Sequence, residues 1–176
     1  MKHIVVCFGD LHCGSTVGLC PPEGIELDDG GLYVPNKAQL WLWHNWEEAW
    51  KEVRSVKRKN KKAKLHLILN GDAVDGDHHR TTQIATAHEG VHVGCAIESL
   101  RVPLALKPDS LHILRGTSAH VGRAGGLEEG MGKALKEQRW PVVEDPDTGT
   151  VTSYTRTLKF GSLRFDIKHH GRMGRR

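Results

Sequence analysis

The segment IVVCFGDLHCGS, residues 4–15, runs from an apolar stretch into a turn that carries an aspartate and a histidine. The apolar stretch is rich in β-forming residues and ends at Gly9, which predicts a buried strand that stops at a turn. Asp10 and His12 then follow the carboxyl end of the strand, where open α/β sheets bind their ligands. A single turn of this kind is better explained as a surface turn whose aspartate bonds nearby backbone amides.

The same arrangement recurs further along the chain. Residues 65–69 and 111–114 are short apolar runs, each followed within two residues by a glycine, and the predicted strand at 163–167 also ends in polar side chains. The four strand ends carry, in order, Asp10 and His12, Asp72 with Asp75, Thr117 with His120, and His169 with His170. Carboxylate oxygens and imidazoles together suit transition metals such as Zn, Mn and Fe. Four such strand ends at one edge of a sheet predict a common metal site.

Segments with helical spacing of apolar residues separate these strands. The spacing predicts helices over 37–59, 82–100 and 127–138, and alternation predicts an antiparallel hairpin over 151–160 and 162–168. Trp43, Trp46 and Trp50 form a stripe on the first helix. We interpret this stripe as core packing and not as a base-stacking platform, because no basic residues interleave on that face. The βαβαβ order of the first 115 residues predicts an α/β fold.

The composition is that of a globular protein. A chain of 176 residues with 38% hydrophobic and 26% charged residues is long enough for one domain with a sizeable core. Because no apolar run reaches the length of a transmembrane helix and the N-terminal run is too short for a signal peptide, we expect a cytoplasmic protein without a membrane partner. The four cysteines show no C-x-x-C spacing, which argues against a thiol redox protein.

A dense group of basic residues marks the end of the first predicted helix. Eight lysines and arginines lie between positions 51 and 64. Cations suit a helix C-terminus, so the group is explained as a solvated helix end. The alternative is a contact with the phosphate backbone of a nucleic acid.

Four sequence motifs together resemble those of the calcineurin-like metallophosphoesterases, in a form common in phage and prophage genomes. The motifs are GDLH at 9–12, GDAVDG at 71–76, RGTSAHVG at 115–122 and FDIKHHGRMGRR at 165–176. The resemblance spans nearly the whole chain. It implies a single domain over 1–176 with an α/β sandwich of two mixed β-sheets flanked by helices.

The resemblance also implies metal ligands. Asp10 and His12 would hold one metal, Asp72 would bridge two metals, and His170 or His169 would bind the second. Thr117 stands where the family has an asparagine ligand, so Thr117 would bind the second metal directly or through water. The cofactors implied are two divalent transition metals, Mn, Zn or Fe.

Further residues receive roles by the same resemblance. His120 would be the catalytic histidine, which stabilises developing charge or protonates the leaving oxygen. For Asp75, His78 and His79 we expect loop stabilisation in support of the metal ligands, and we expect Asp75 to fix the turn and bond back to a metal ligand. Arg115 or Arg123 would hold a phosphate oxygen, although ordinary surface charge explains each arginine equally well.

One departure from the family concerns the end of the chain. A late G-H-x-H motif, which supplies two more histidine ligands, does not occur before Arg176. We therefore expect the domain to be C-terminally incomplete, with its last strands missing. The function expected is hydrolysis of a phosphomonoester or phosphodiester by a dinuclear metal centre and a bridging hydroxide. The alternative is a noncatalytic nucleic-acid-binding or scaffold protein that keeps the fold with a degraded metal site.

Overall fold

The computed structural model describes residues 1–78, 81–122 and 125–170, which contain eight strands and three helices. The strands are β1 (His3–Phe8), β2 (Ile25–Glu26), β3 (Leu32–Tyr33), β4 (Lys64–Asn70), β5 (Ser110–Leu114), β6 (Thr152–Ser153), β7 (Thr155–Phe160) and β8 (Leu163–Lys168). The helices are α1 (Lys37–Lys59), α2 (Glu89–Leu104) and α3 (Gly126–Glu137). None of these helices combines the length and apolar character that crossing a membrane requires.

The centre of the fold is a parallel sheet with the strand order β1-β4-β5-β6. Helices α1, α2 and α3 each connect one strand of this sheet to the next. Right-handed crossovers that all advance in one direction place their helices on the same face of the sheet. The three helices accordingly share one hydrophobic core with that face, in which Leu67, Leu100 and Met131 are fully buried.

The second face of the sheet is covered by the antiparallel hairpin of β7 and β8. Because successive side chains of a strand point to opposite faces, Leu67 and Leu69 pack under the helices while Ile68 packs under the hairpin. Phe160 of the hairpin completes this smaller core with Ile68 and Leu114. The end of β8 is thereby brought next to the carboxyl ends of β1, β4 and β5.

The second helix begins seven residues later than its pattern predicts. The preceding residues do not form a helical turn, because they bond the loop after β1. The amide of Thr16 donates to the carbonyl of Gln83 at 2.9 Å, and the amide of Ala85 donates to the carbonyl of Gly14 at 2.8 Å. The helix also continues beyond its predicted end at residue 100 and through Pro103. It ends one residue after this proline, so only its last turn lacks a backbone donor.

The segment predicted as one strand over 151–160 is divided at Tyr154. Thr152 and Ser153 pair in parallel with the end of β5, and the residues after Tyr154 turn into the hairpin. The predicted α/β class is confirmed. The described strands form one parallel sheet and two small antiparallel sheets instead of two mixed sheets, since β7 and β8 pair only with each other. The sandwich of the resembling family stays a prediction.

Candidate metal centre

Asp72 lies at the middle of a group of polar side chains at the carboxyl edge of the sheet. It follows β4 and is 3% exposed. Its carboxylate accepts hydrogen bonds from the amide and the hydroxyl of Thr117, with N–Oδ1 at 2.7 Å and Oγ1–Oδ1 at 3.1 Å. On the other side, Asp72 Oδ2 lies 3.0 Å from Nε2 of His169. The loops after β4, β5 and β8 therefore meet at one carboxylate.

Asp72 belongs to two different groups that could hold a metal ion. The first is His12, Asp72 and His120, and the second is Asp10, Asp72 and His169. Within each group the ligand atoms lie within 4.8 Å of one another. Each group takes one side chain from each of three strand ends. The first group lies at the common edge of the neighbouring parallel strands β1, β4 and β5, whereas the second takes His169 from the end of the hairpin strand β8.

The three imidazoles of these groups are each held through Nδ1. His12 Nδ1 lies 2.9 Å from Asp75 Oδ1, and His120 Nδ1 lies 3.1 Å from the same oxygen. His169 Nδ1 donates to the backbone carbonyl of Asn70 at 2.5 Å. A carbonyl only accepts, so Nδ1 of His169 carries the hydrogen and Nε2 has the lone pair in the neutral ring. Histidine ligands of metals commonly have this second contact, which fixes the tautomer and the ring orientation.

The charge state of His169 responds to the same neighbours. Burial disfavours the imidazolium, but the Asn70 carbonyl and the Asp72 carboxylate outweigh it and raise the pKa of His169 above its ordinary value. When the ring is protonated, the contact between His169 and Asp72 is a charge-assisted hydrogen bond. A divalent cation that bound Asp72 and His169 would take the place of that proton.

Asp75 is buried, and its carboxylate contacts histidines of the site. Besides His12 and His120, its carboxylate lies 3.5 Å from Nε2 of His78. Asp75, His78 and His120 form a third group with ligand atoms within 4.8 Å. The predicted supporting residue His79 lies outside the described residues. The roles predicted for Asp75 and His78 stay predictions, and their contacts with site histidines support them.

The backbone is strained at three of these residues. Asp10, His12 and Asp72 have φ values of 56°, 46° and 51°. Positive φ is costly for residues other than glycine, and such strain persists only where the surrounding structure imposes it, often at functional sites. Here the imposing contacts are hydrogen bonds between the two loops. The amide of His12 donates to the carbonyl of Asp72 at 3.0 Å, and that of Asp10 donates to the carbonyl of Gly71 at 3.0 Å.

Glu128 is a buried carboxylate behind the site that the sequence does not single out. It lies in the first turn of α3 and is 0% exposed. Its oxygens accept from the amides of Ala73 at 3.1 Å and Gly116 at 2.8 Å. Burial raises the pKa of Glu128 to about 7 even though both amides lower it. One side chain thus joins the loops that carry Asp72 and Thr117. No sequence signal identifies it, because an acidic residue in a first helical turn is ordinary.

Other predicted site residues have different placements. His170 is exposed and belongs to none of the three groups, although its ring centroid lies 4.5 Å from that of His169. Arg115 Nε donates to Thr152 Oγ1 at 2.9 Å, and its guanidinium lies 4.8 Å from the centroid of the Tyr154 ring. These contacts hold Arg115 against β6, and its role in substrate binding stays a prediction. Arg123 lies outside the described residues.

The basic group at 51–64 lies at the opposite end of the sheet. It covers the last turns of α1 and the start of β4 at Lys64, whereas Asp72 follows the end of β4. A seven-residue strand spans roughly 23 Å at about 3.3 Å per residue. The basic group and the candidate metal centre are therefore separate surfaces.

The donor set fits a divalent transition metal. Carboxylate oxygens and Nε2 atoms of anchored imidazoles converge on a shared aspartate, which is the ligand chemistry that Zn, Mn and Fe accept. Comparison with models of protein families, with curated proteins and with solved structures finds no match for this chain.

Proposed function

We propose that the protein is a metal-dependent phosphoesterase, which hydrolyses a phosphomonoester or phosphodiester with two divalent transition metals, Mn, Zn or Fe. The observation that carries the proposal is the pair of ligand groups that share Asp72. Two metals joined by one carboxylate are typical of enzymes that hydrolyse phosphate esters. The order of the motifs GDLH and GDAVDG in the sequence agrees with this function.

In this proposal Asp10, His12, Asp72 and His169 hold the metals. The metals would polarise the phosphoryl oxygens and lower the pKa of a water molecule. Thr117 acts through Asp72, because its hydroxyl and amide both donate to that carboxylate. These two donors keep the carboxylate oriented.

His120 is the proposed proton donor. Its Nδ1 contacts the carboxylate of Asp75. Although His120 also lies within ligand distance of His12 and Asp72, we assign its Nε2 to the substrate and not to the metal. A histidine held in this way delivers a proton to the leaving oxygen or hydrogen-bonds a phosphoryl oxygen as negative charge develops. Asp75 fixes the ring orientation.

The test compares Asp72→Asn with Asp147→Asn. Asp147 is exposed and belongs to none of the three groups that could hold a metal, so it is a matched aspartate-to-asparagine control. The purified chain is loaded with Mn²⁺, its metal content is measured by elemental analysis, and turnover of p-nitrophenyl phosphate and bis(p-nitrophenyl) phosphate is followed. We expect Asp72→Asn to lose bound metal and turnover while Asp147→Asn keeps both. Equal turnover in the two variants would refute the proposal.

A noncatalytic nucleic-acid-binding protein is the second candidate. The observation in its favour is the exposed basic group at 51–64, which lies away from the metal centre. This candidate predicts binding of DNA or RNA with an affinity that falls steeply as salt increases, without hydrolysis. It also predicts that Asp72→Asn binds nucleic acid as well as the parent does. Salt-dependent binding together with no ester turnover in the metal-loaded chain would favour it over the phosphoesterase.

A further inference from the structure

A cavity of about 620 Å³ opens beside the candidate metal centre. Asp10, His12 and His120 form part of its wall, so anything that binds it lies next to a phosphate held at the centre. The volume is in the range of sites for small organic ligands. The opposite wall is a stripe on α1 that consists of Leu42, Asn45, Trp46 and Ala49.

Apolar side chains from two segments form much of the remaining wall. Leu11 and Leu19 come from the loop after β1, and Leu42 and Trp46 come from α1. Among the described residues that line the cavity, Asp10 and Asp75 are the only carboxylates, and no lysine or arginine lines it. Beside the apolar side chains Leu11, Leu19, Leu42 and Trp46, a charged substituent would lose its hydration without a charged side chain in contact. The cavity therefore suits the uncharged part of a phosphate ester.

Trp46 gives this wall a fixed aromatic surface. Its Nε1–H donates to the carbonyl of Ser99 at 3.2 Å. That carbonyl is free to accept because Pro103, four residues further along α2, has no amide hydrogen. The indole also packs edge-on against Phe8 and Trp50, with ring centroids 5.6 and 5.3 Å apart. A ring held on three sides loses little freedom when a ligand binds, and aromatic pairs attract beyond the area that they bury.

Helix α1, which carries this stripe, is hydrogen-bonded to the loop after β1 that carries Asp10 and His12. The buried Gln39, in the first turn of α1, donates from Nε2 to the carbonyls of Ser15 at 3.0 Å and Gly18 at 3.2 Å. The capping residue Asn36 donates from Nδ2 to the carbonyl of Thr16 at 2.7 Å. The distance between the aromatic wall and the metal centre is therefore set by the protein before any ligand binds.

We propose that this cavity binds a flat aromatic substituent on the phosphate, and that Trp46 and Ala49 select it. The inference rests on the proposed phosphoesterase function and deepens it. The substituent is an aryl ring or a nucleobase, which share a planar uncharged surface. A phosphate ester of a small alkyl alcohol leaves the cavity empty and gains nothing from this wall.

The first experiment fills the cavity with Ala49→Leu. Leucine is a good helix former, so the change adds volume without breaking α1. Ala38→Leu is the matched control, since Ala38 is exposed on the same helix and does not line the cavity. For the Mn²⁺-loaded chain, kcat/KM is measured with phenyl phosphate, a nucleoside 5′-monophosphate and methyl phosphate. We expect Ala49→Leu to lower the ratio of phenyl to methyl kcat/KM by about 10-fold or more, while Ala38→Leu leaves it unchanged.

The measurement with the nucleoside 5′-monophosphate distinguishes a nucleobase from an aryl group as the bound ring. A larger loss for the nucleotide than for phenyl phosphate assigns the cavity to a nucleobase, and a loss confined to phenyl phosphate assigns it to an aryl group. An unchanged ratio of aromatic to methyl ester in Ala49→Leu would overturn the proposal while leaving the phosphoesterase function intact.

A binding measurement decides the question without turnover. Phenylphosphonate, which has no ester bond to hydrolyse, is titrated into the Zn²⁺-loaded chain and the indole N–H signals are followed by NMR. The Trp46 signal is identified by its loss in Trp46→Phe. We expect it to shift with phenylphosphonate and not with methylphosphonate, and we expect Ala49→Leu to weaken the shift. If no ester is hydrolysed but this shift occurs, the phosphoesterase function fails and the aromatic site stands; without the shift the aromatic site fails.

Discussion

Nε2 of His169 lies 3.0 Å from Oδ2 of Asp72, although 97 residues separate them in the chain. Asp72 follows a strand of the parallel sheet, and His169 follows the second strand of the hairpin on the other face. The contact therefore joins the two halves of the fold at the candidate metal centre.

This contact predicts different effects for two adjacent histidines. His169→Ala removes a proposed ligand, and we expect metal affinity to fall by at least about 10–100-fold, the loss that even outer-shell changes cause. His170→Ala removes an exposed ring and is the matched control. Isothermal titration of the metal-free variants with Zn²⁺ measures both. A greater loss in His170→Ala than in His169→Ala would contradict the placement of the ligand.

Gly116 allows the loop after β5 to approach Asp72. A Cβ atom at this position would lie 2.0 Å from Asp72 Oδ1 and 2.3 Å from its amide nitrogen. Gly116→Ala should therefore displace the shared carboxylate, lower the free energy of unfolding by about 1–3 kcal/mol and weaken metal binding. Gly130→Ala is the control, because nothing lies within 4 Å of its added Cβ in α3. It should stabilise the protein by roughly 0.5–1 kcal/mol, as measured by urea unfolding.

Glu128 makes stability depend on pH. Its pKa is about 7 in the folded protein and 4.5 as the ordinary value, so between these pH values the folded state binds a proton that the unfolded state does not. Stability from this group is present below pH 4.5 and is lost as the pH rises to about 7, with a slope of up to about 1.4 kcal/mol per pH unit.

Glu128→Gln removes this slope. At low pH it should also cost about 1–3 kcal/mol, since its amide group cannot accept from both backbone amides. Urea unfolding in the presence of a chelator, repeated from pH 4.5 to 7.5, measures both effects. A parallel pH profile in parent and variant would contradict the assigned pKa.

His112 should act in the opposite direction. Burial, with Arg156 and His66 nearby, lowers the pKa of His112 from 6.5 to about 4. Between these values the unfolded state binds a proton that the folded state does not, so stability is lost as the pH falls from 6.5 to about 4. His112→Gln should flatten this loss. Relative to the parent, Glu128→Gln should raise the slope of the unfolding free energy against pH, and His112→Gln should lower it. A change of the same sign in both variants would disprove one of the two assigned pKa values.

The convergence of Asp10 and Asp72 could be expected from sequence, because each follows an apolar run and parallel strands end at a common edge. The sequence predicts His169 at the same edge, but this rule does not explain its place there. His169 follows a strand of the antiparallel hairpin, which packs on the sheet through Phe160 against Ile68 and Leu114. Periodicity shows that a strand is buried but not on which neighbour it packs.

Two further features depend on contacts between distant segments. The residues before α2 have helical spacing, yet their backbone groups bond the loop after β1, as in the amide of Ala85 to the carbonyl of Gly14. Glu128 has the sequence context of an exposed first-turn acid and is instead buried by the loops that it joins. Local propensity predicts neither of these contacts, because each joins segments that are distant in the sequence. The folded structure is needed to identify the residues that make them.

The position of His169 near the end of the sequence also affects the order in which the sheet and the candidate metal centre form during synthesis. A chain emerging from the ribosome exposes β1, β4 and β5 before the hairpin, because synthesis runs from the N-terminus. Asp10, His12, Asp72 and His120 can then assemble while His169 is still missing. The parallel sheet can thus mature earlier than the centre that it carries. Tight metal uptake by a nascent chain would mark the moment when the hairpin docks.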